Sequence, residues 1–191
     1  GYYQIPAVTR FADEVGRLKA SSGLVGAFLA GAFAGSIVPE IAKTVTRQHR
    51  SADDHWGRAI WVGFTYGLVA VAVDVFYKLQ SKWFGDGTDA ATLAMKTAVD
   101  MFVFSPIISI PLAAALINWY GSRFSRQFLR TLLTRDFYMR EVVGAMPLCW
   151  AYWIPVLICS YSLPLALQFS FSMLAEGAWT ILFVFVMLKK S

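Results

Sequence analysis

Long apolar runs separated by short charged stretches set the pattern of this chain. A helix needs about 20 mostly apolar residues to cross ~30 Å of hydrocarbon. Four runs are long enough: Ser22 to Lys43, Ala59 to Leu79, Met95 to Asn118, and Val142 to Leu163. The first contains GLVGAFLAGAFAGSIV, the third Pro106 and Pro111, and the fourth Pro147 and Pro155. A last run, Ala178 to Leu188, is short; extended back to Gln168 it could span, but it then takes in Glu176. The pattern predicts an all-α integral membrane helical bundle with four crossings, and leaves a fifth C-terminal apolar helix open. Proline inside these runs is no objection, because neighbouring helices in a bundle satisfy the carbonyls that it frees.

Two amphipathic stretches flank this pattern. In residues 1–21, Val8, Phe11, Val15 and Leu18 are spaced as one helix face, with Arg10, Asp13, Arg17 and Lys19 between them. They predict an interfacial segment ahead of a single bundle domain over residues 22–191. No compact apolar core or cleavage site marks residues 1–21 as a secretory signal, and the start at Gly1 reads as a fragment or processed chain. Between the third and fourth runs, Phe124, Phe128 and Leu132 recur every four residues, with Leu129 and Leu133 beside them. Arg123, Arg126, Arg130 and Arg135 form the polar side. The plain reading is a connecting helix resting on lipid headgroups; the sharper ones are an anionic-lipid site or a partner surface.

Composition agrees with the runs. Hydrophobic residues make up 57% of the 191 and charged residues 15%. A soluble domain of this size could not bury that much apolar surface without large exposed patches. Aromatic-rich, charge-poor chains collapse, which excludes disorder, and two cysteines exclude a disulfide scaffold. The net charge of +5 sits in loops flanking the runs, so it points to headgroups and not to nucleic acid. Four crossings divide the Lys and Arg almost evenly between the two sides. Five crossings put eleven of the seventeen on the side of the first and third loops, which mildly favours five with those loops on the cytoplasm-like side.

Small residues and charges carry the remaining information. Ala27, Gly31 and Gly35, and likewise Gly63 and Gly67, stand four apart, so their helices can approach closely in lipid. Packing within the chain is favoured over homodimerisation. Asp74 falls about 7 Å past the midplane of the second run, and Lys78 follows one turn later. Lys96 and Asp100 repeat the pair in reverse order, and the short second loop brings the four to one membrane face. Glu40 and Lys43 pair at the opposite face. Groups at this depth are expensive and must face the interior, a partner or water. They are either salt-bridged pins fixing helix register or the mouth of a polar passage.

No catalytic constellation emerges. A glycine-rich phosphate loop and a Gly-x-Ser-x-Gly elbow are both missing. His49 and His55 lie with Asp53 and Asp54 in the first loop at no common zinc spacing. Cys149 and Cys159 would stand roughly 15 Å apart along one helix, too far for a disulfide. Asp86-Gly87-Thr88-Asp89 lacks the length and final Glu of a calcium loop, and reads as a turn with an N-cap. No metal, cofactor or enzyme activity is expected.

Three blocks carry a family resemblance. Asp74-Val-Phe76-Tyr77 ends the second run, and Lys96-xxx-Asp100-xxxxx-Pro106 opens the third. Trp150-xx-Trp153-x-Pro155 is followed by Tyr161, Pro164 and Trp179. In this order they resemble the Mpv-seventeen and twenty-two-kilodalton peroxisomal membrane protein family from about Gly31 to Trp179. Departures are clear. The family's Gly-Pro-xx-His is Ala70-Val71-xx-Asp74 here, its Asp-Gln is Asp100-Met101, and Ile154 intervenes between Trp153 and Pro155. The chain looks like a divergent branch, perhaps bacterial. The resemblance implies a small protein of organelle or membrane homeostasis, for some members a weakly selective channel. It implies a mitochondrial inner or peroxisomal membrane, or a bacterial cytoplasmic membrane for a bacterial member.

Two functions are therefore expected of the site residues. In the first, Asp74, Lys78, Lys96 and Asp100 form the charged vestibule of a solute-conducting pore, and Pro106 kinks the third helix to open it. In the second, the aromatic fourth helix (Trp150, Tyr152, Trp153, Tyr161) and the Arg-rich third loop make a scaffold subunit of a larger membrane complex or a homo-oligomer.

Overall fold

The computed structural model describes residues 6–45 and 55–188. The described residues are helical, with no strand, and five helices are long and apolar enough to cross a membrane: Ser21–Ile41, Trp56–Phe84, Ala90–Gly121, Arg135–Tyr161 and Leu165–Leu182. We label the rods α1 (6–45), α2 (His55–Phe84), α3 (Ala90–Gly121), α4 (Arg126–Thr131), α5 (Arg135–Tyr161) and α6 (Leu165–Leu188). The fifth apolar helix is thus a full-length member of the bundle. Glu176 does not exclude it, because that carboxylate lines the interior of the bundle instead of meeting lipid.

Local sequence sets the breaks. α1 bends at Gly23, whose backbone (φ 55°, ψ −142°) suits glycine, separating the 6–22 helix from the first span. The side chains of Val8, Phe11, Val15 and Leu18 lie outside the described residues, as do His49, Asp53 and Asp54. α2 stops at Gly85 (φ 74°), whose amide reaches Ser81 O. Asp89 then caps α3, accepting from the Thr92 amide at 3.1 Å and its hydroxyl at 2.7 Å. The Thr92 hydroxyl, with that amide, holds the Asp89 carboxyl below its usual value. Its contribution to stability is present above the ordinary carboxylate pKa and is lost as pH falls through the depressed one. The third loop departs from one continuous amphipathic helix. Arg123 and Phe124 both take positive φ (54° and 58°), and only Arg126–Thr131 is helical before α5 begins. The turn carries the Phe124 ring onto Trp61, Trp119 and Tyr120, with centroids 5.0–5.6 Å apart.

α1 and α2 pack through their small residues. A Cβ on Gly31 would collide with Ala70 and the Tyr66 carbonyl, and one on Gly35 with the Tyr66 ring. From the other side, one on Gly67 would meet the Phe28 ring at 2.7 Å, and one on Gly63 would meet Ser36 at 3.0 Å. Ser36 Oγ also donates to Ala59 O at 2.7 Å, closing the contact with a hydrogen bond. Both glycine pairs are spent on packing within the chain.

Three prolines produce a shared device. Phe33–Ile37 and Asp100–Ser109 are wide π-helical turns, in which an amide bonds the carbonyl five residues earlier, as Val38 N–H does to Phe33 O and Ile110 N–H to Ser105 O. In that register the amides due to Ala34 O, Met101 O and Pro106 O belong to Pro39, Pro106 and Pro111, which have no N–H. Each orphaned carbonyl is met by a side chain from another helix. Thr180 Oγ1 donates to Ala34 O at 3.1 Å, Trp150 Nε1 to Met101 O at 3.2 Å, and Tyr138 Oη to Pro106 O at 3.2 Å. The prolines therefore convert helix breaks into bonds between helices.

Two stability tests follow in detergent or bicelles. Gly31→Leu should cost about 1–3 kcal/mol by overpacking, while Gly121→Ala, which meets open space, should change little. Trp150→Phe should cost about 1 kcal/mol and lose most of that cost in a Pro106→Ala background, where an amide can serve the 101 carbonyl. An equal cost in both backgrounds would refute the proline device.

Candidate functional site

The interior of the bundle is organised by two hydrogen-bonded chains. In the first, Gln80 Nε2 on α2 donates to Tyr161 Oη on α5 at 3.0 Å, and Tyr161 Oη donates to Asp100 Oδ2 on α3 at 2.6 Å. All three residues are buried, and Ser105 Oγ reaches the other Asp100 oxygen at 3.5 Å. In the second, Ser160 Oγ donates to Gln168 O at 3.2 Å. A hydroxyl has one proton, so Ser172 must donate to Ser160 and Tyr77 Oη to Ser172, at 3.2 and 2.7 Å. The Tyr77 and Tyr161 rings meet edge to face at 5.2 Å, joining the two chains. Together they tie α2, α3, α5 and α6.

The four charges of the expected vestibule separate. Lys78 Nζ bonds Asp74 Oδ2 at 2.8 Å on α2; Asp74 is buried and the Lys78 side chain is 56% exposed. Lys96 is 1% exposed, yet its Nζ turns toward the start of its own helix. There it stands 3.8 Å from Asp86 Oδ1 in the preceding turn and 5.6 Å from the centroid of the Tyr161 ring. Helical side chains tilt toward the N-terminus, which favours Asp86 over Asp100. Of the four, Asp100 lines an interior volume between the helices.

That volume is a partly open cavity of about 220 Å³ lined by α1, α2, α3, α5 and α6. Its walls are mostly apolar, with Tyr66, Tyr77, Phe104, Trp153 and Trp179 the large aromatic groups. Two carboxylates line it, Asp100 from α3 and Glu176 from α6, and no Lys, Arg or His does among the described residues. Glu176 Oε1 is fully shielded from solvent and meets no hydrogen-bond donor among the described residues. Asp74, Lys78, Lys96 and Pro106 are not in its lining. Pro106 acts in the wide turn of α3 just described. No described group of His, Cys, Asp or Glu is arranged to hold a metal ion.

Part of the three sequence blocks lies at this centre. Phe76 stacks on Phe104 with centroids 4.2 Å apart and planes 11° from parallel. Tyr77 heads the second hydrogen-bonded chain, Trp150 serves Met101 O, and Trp153 and Trp179 line the cavity. Tyr152 Oη donates to Ala175 O at 2.7 Å, and its ring lies 5.1 Å from that of Trp179. The aromatic face of α5 is thus engaged with α3 and α6. Pro155 lies within α5, and Pro164 stands in the turn that ends it.

Sequence reasoning named Asp100, Tyr161 and Tyr77 but did not join them, and it passed over the residues that complete the two chains. Gln80, Ser160 and Ser172 gave no periodic signal, and Glu176 was weighed only as an obstacle to a fifth crossing. Its signal was that same oddity, a carboxylate in the middle of an apolar run. No protein-family model, curated protein or solved structure matches this chain.

The second hydrogen-bonded chain is testable as a unit. Tyr77→Phe and Ser172→Ala should each lower unfolding free energy by about 1 kcal/mol, and the double variant by little more than either alone. Fully additive losses would show that the hydroxyls do not act together.

Proposed function

We infer that this integral membrane protein conducts small solutes through the interior of its helical bundle, as a divergent relative of the Mpv-seventeen and twenty-two-kilodalton peroxisomal membrane proteins. The observation that carries the reading is the partly open cavity to which all five spans contribute residues, Asp100 and Glu176 among them. Carboxylates at this depth are costly, and a bundle that served only as a membrane plug could replace them with apolar residues. Polar side chains at a constriction set which ions and solutes enter, because they substitute for lost hydration. The passage uses Asp100 and Glu176, while Lys78 pairs with Asp74 along α2 and Lys96 with Asp86 in the turn before α3. The three sequence blocks contribute residues to the hydrogen-bonded centre and the cavity wall.

Purified protein in planar bilayers should conduct, with cations favoured over anions. Asp100→Asn and Glu176→Gln should each reduce the cation-to-anion permeability ratio by roughly three- to tenfold. Lys78→Met, whose side chain lies outside the cavity, should leave the ratio unchanged. A silent bilayer, or a ratio indifferent to both carboxylates, would refute the reading.

A further inference from the structure

The same cavity has the features of a binding site for one chemical class. It carries two carboxyl groups, and no basic residue lines it among the described residues. Asp100 is already held by Tyr161 and Ser105. Glu176 differs, since its Oε1 is buried without a donor among the described residues. A carboxylate in such a place calls for a cationic hydrogen-bond donor. Around it, Tyr66, Trp153 and Trp179 offer aromatic faces, which attract cations and accept flat apolar bodies. Size narrows the class further. A cavity of about 150 Å³ accommodates benzene, and 220 Å³ leaves room for a ring or short alkyl body with an ammonium attached.

We propose that this cavity binds a small organic monocation, a protonated primary amine with a compact apolar or aryl body. Its ammonium donates to Glu176, and its body lies among the aromatic walls. Asp100 adds attraction from the α3 side without giving up its bond to Tyr161. The assignment deepens the reading of the cavity as a solute path by naming the solute class, yet binding does not require conduction.

The test uses the full chain in lipid nanodiscs and calorimetric titration with benzylamine at neutral pH, with benzyl alcohol as the neutral probe of similar shape. Benzylamine should bind at least about tenfold more tightly than benzyl alcohol, the ratio expected when a buried charged partner is left unpaired. Glu176→Gln should abolish most of that preference, while Asp100→Asn should weaken it several-fold. Glu176→Gln should also be at least as heat-stable as the parent, because it removes the charge from a carboxyl whose shielded Oε1 has no donor among the described residues. Equal affinity for the two probes, no binding of benzylamine, or undiminished preference in a folded Glu176→Gln variant would each overturn the proposal. The probe comparison on the unaltered chain needs no variant to fold. A protein that binds benzylamine in nanodiscs but is silent in bilayers keeps this site and loses the conduction reading. One that conducts but does not discriminate the probes keeps conduction and loses the site.

Discussion

Inside hydrocarbon, a polar group has no water to turn to, and its partner must come from the protein itself. That constraint organises this bundle. The hydrogen bond from Tyr161 to Asp100, 2.6 Å long, is its centre. It places a buried acidic side chain of α3 against α5, and Gln80 extends it to α2. Tyr77, Ser172 and Ser160 run a second chain beside it to α6. Lipid supplies no hydrophobic drive between helices, so close packing and such bonds have to specify which faces meet. The glycine contacts of α1 with α2 provide the packing, and the two chains provide the register of the rest.

The prolines obey the same rule on the backbone. A proline in a straight α-helix would leave a carbonyl facing lipid or a clash with the preceding turn. Here the turns widen, and Thr180, Trp150 and Tyr138 reach the unserved carbonyls from other helices. The exposed apolar residues, such as Val25, Ile60 and Ile107, form the outer surface that lipid covers. The inverted economy of a membrane bundle, with polar groups inside and apolar ones outside, explains how 29 charged residues in 191 can be distributed among loops and a few interior positions.

Much of this fold was legible in the sequence. The apolar runs located the spans to within a few residues at most ends, because length and hydropathy are local properties. The small-residue spacing of Gly31 and Gly35 marked the α1 face that α2 meets. The Asp74–Lys78 bond follows from four-residue spacing alone. The pairing of Lys96 was misjudged, since it depends on which way a long side chain leans and on a turn ten residues earlier. The Tyr161–Asp100 bond joins residues 61 apart in the chain, and no helical period encodes a contact of that range. Glu176 is the instructive case. In the run of the sequence it looked like a flaw in a crossing, and in three dimensions it is one of two carboxylates facing the interior cavity.

The central claim is that a buried side-chain hydrogen bond between α3 and α5 holds the bundle in register around its cavity. A double-mutant cycle of Asp100→Asn and Tyr161→Phe, read by reversible unfolding in bicelles, measures that bond most directly. A coupling energy of about 1–2 kcal/mol is predicted, at or slightly above the upper range for hydrogen bonds within membranes. Losses that simply add, with no coupling, would contradict the account.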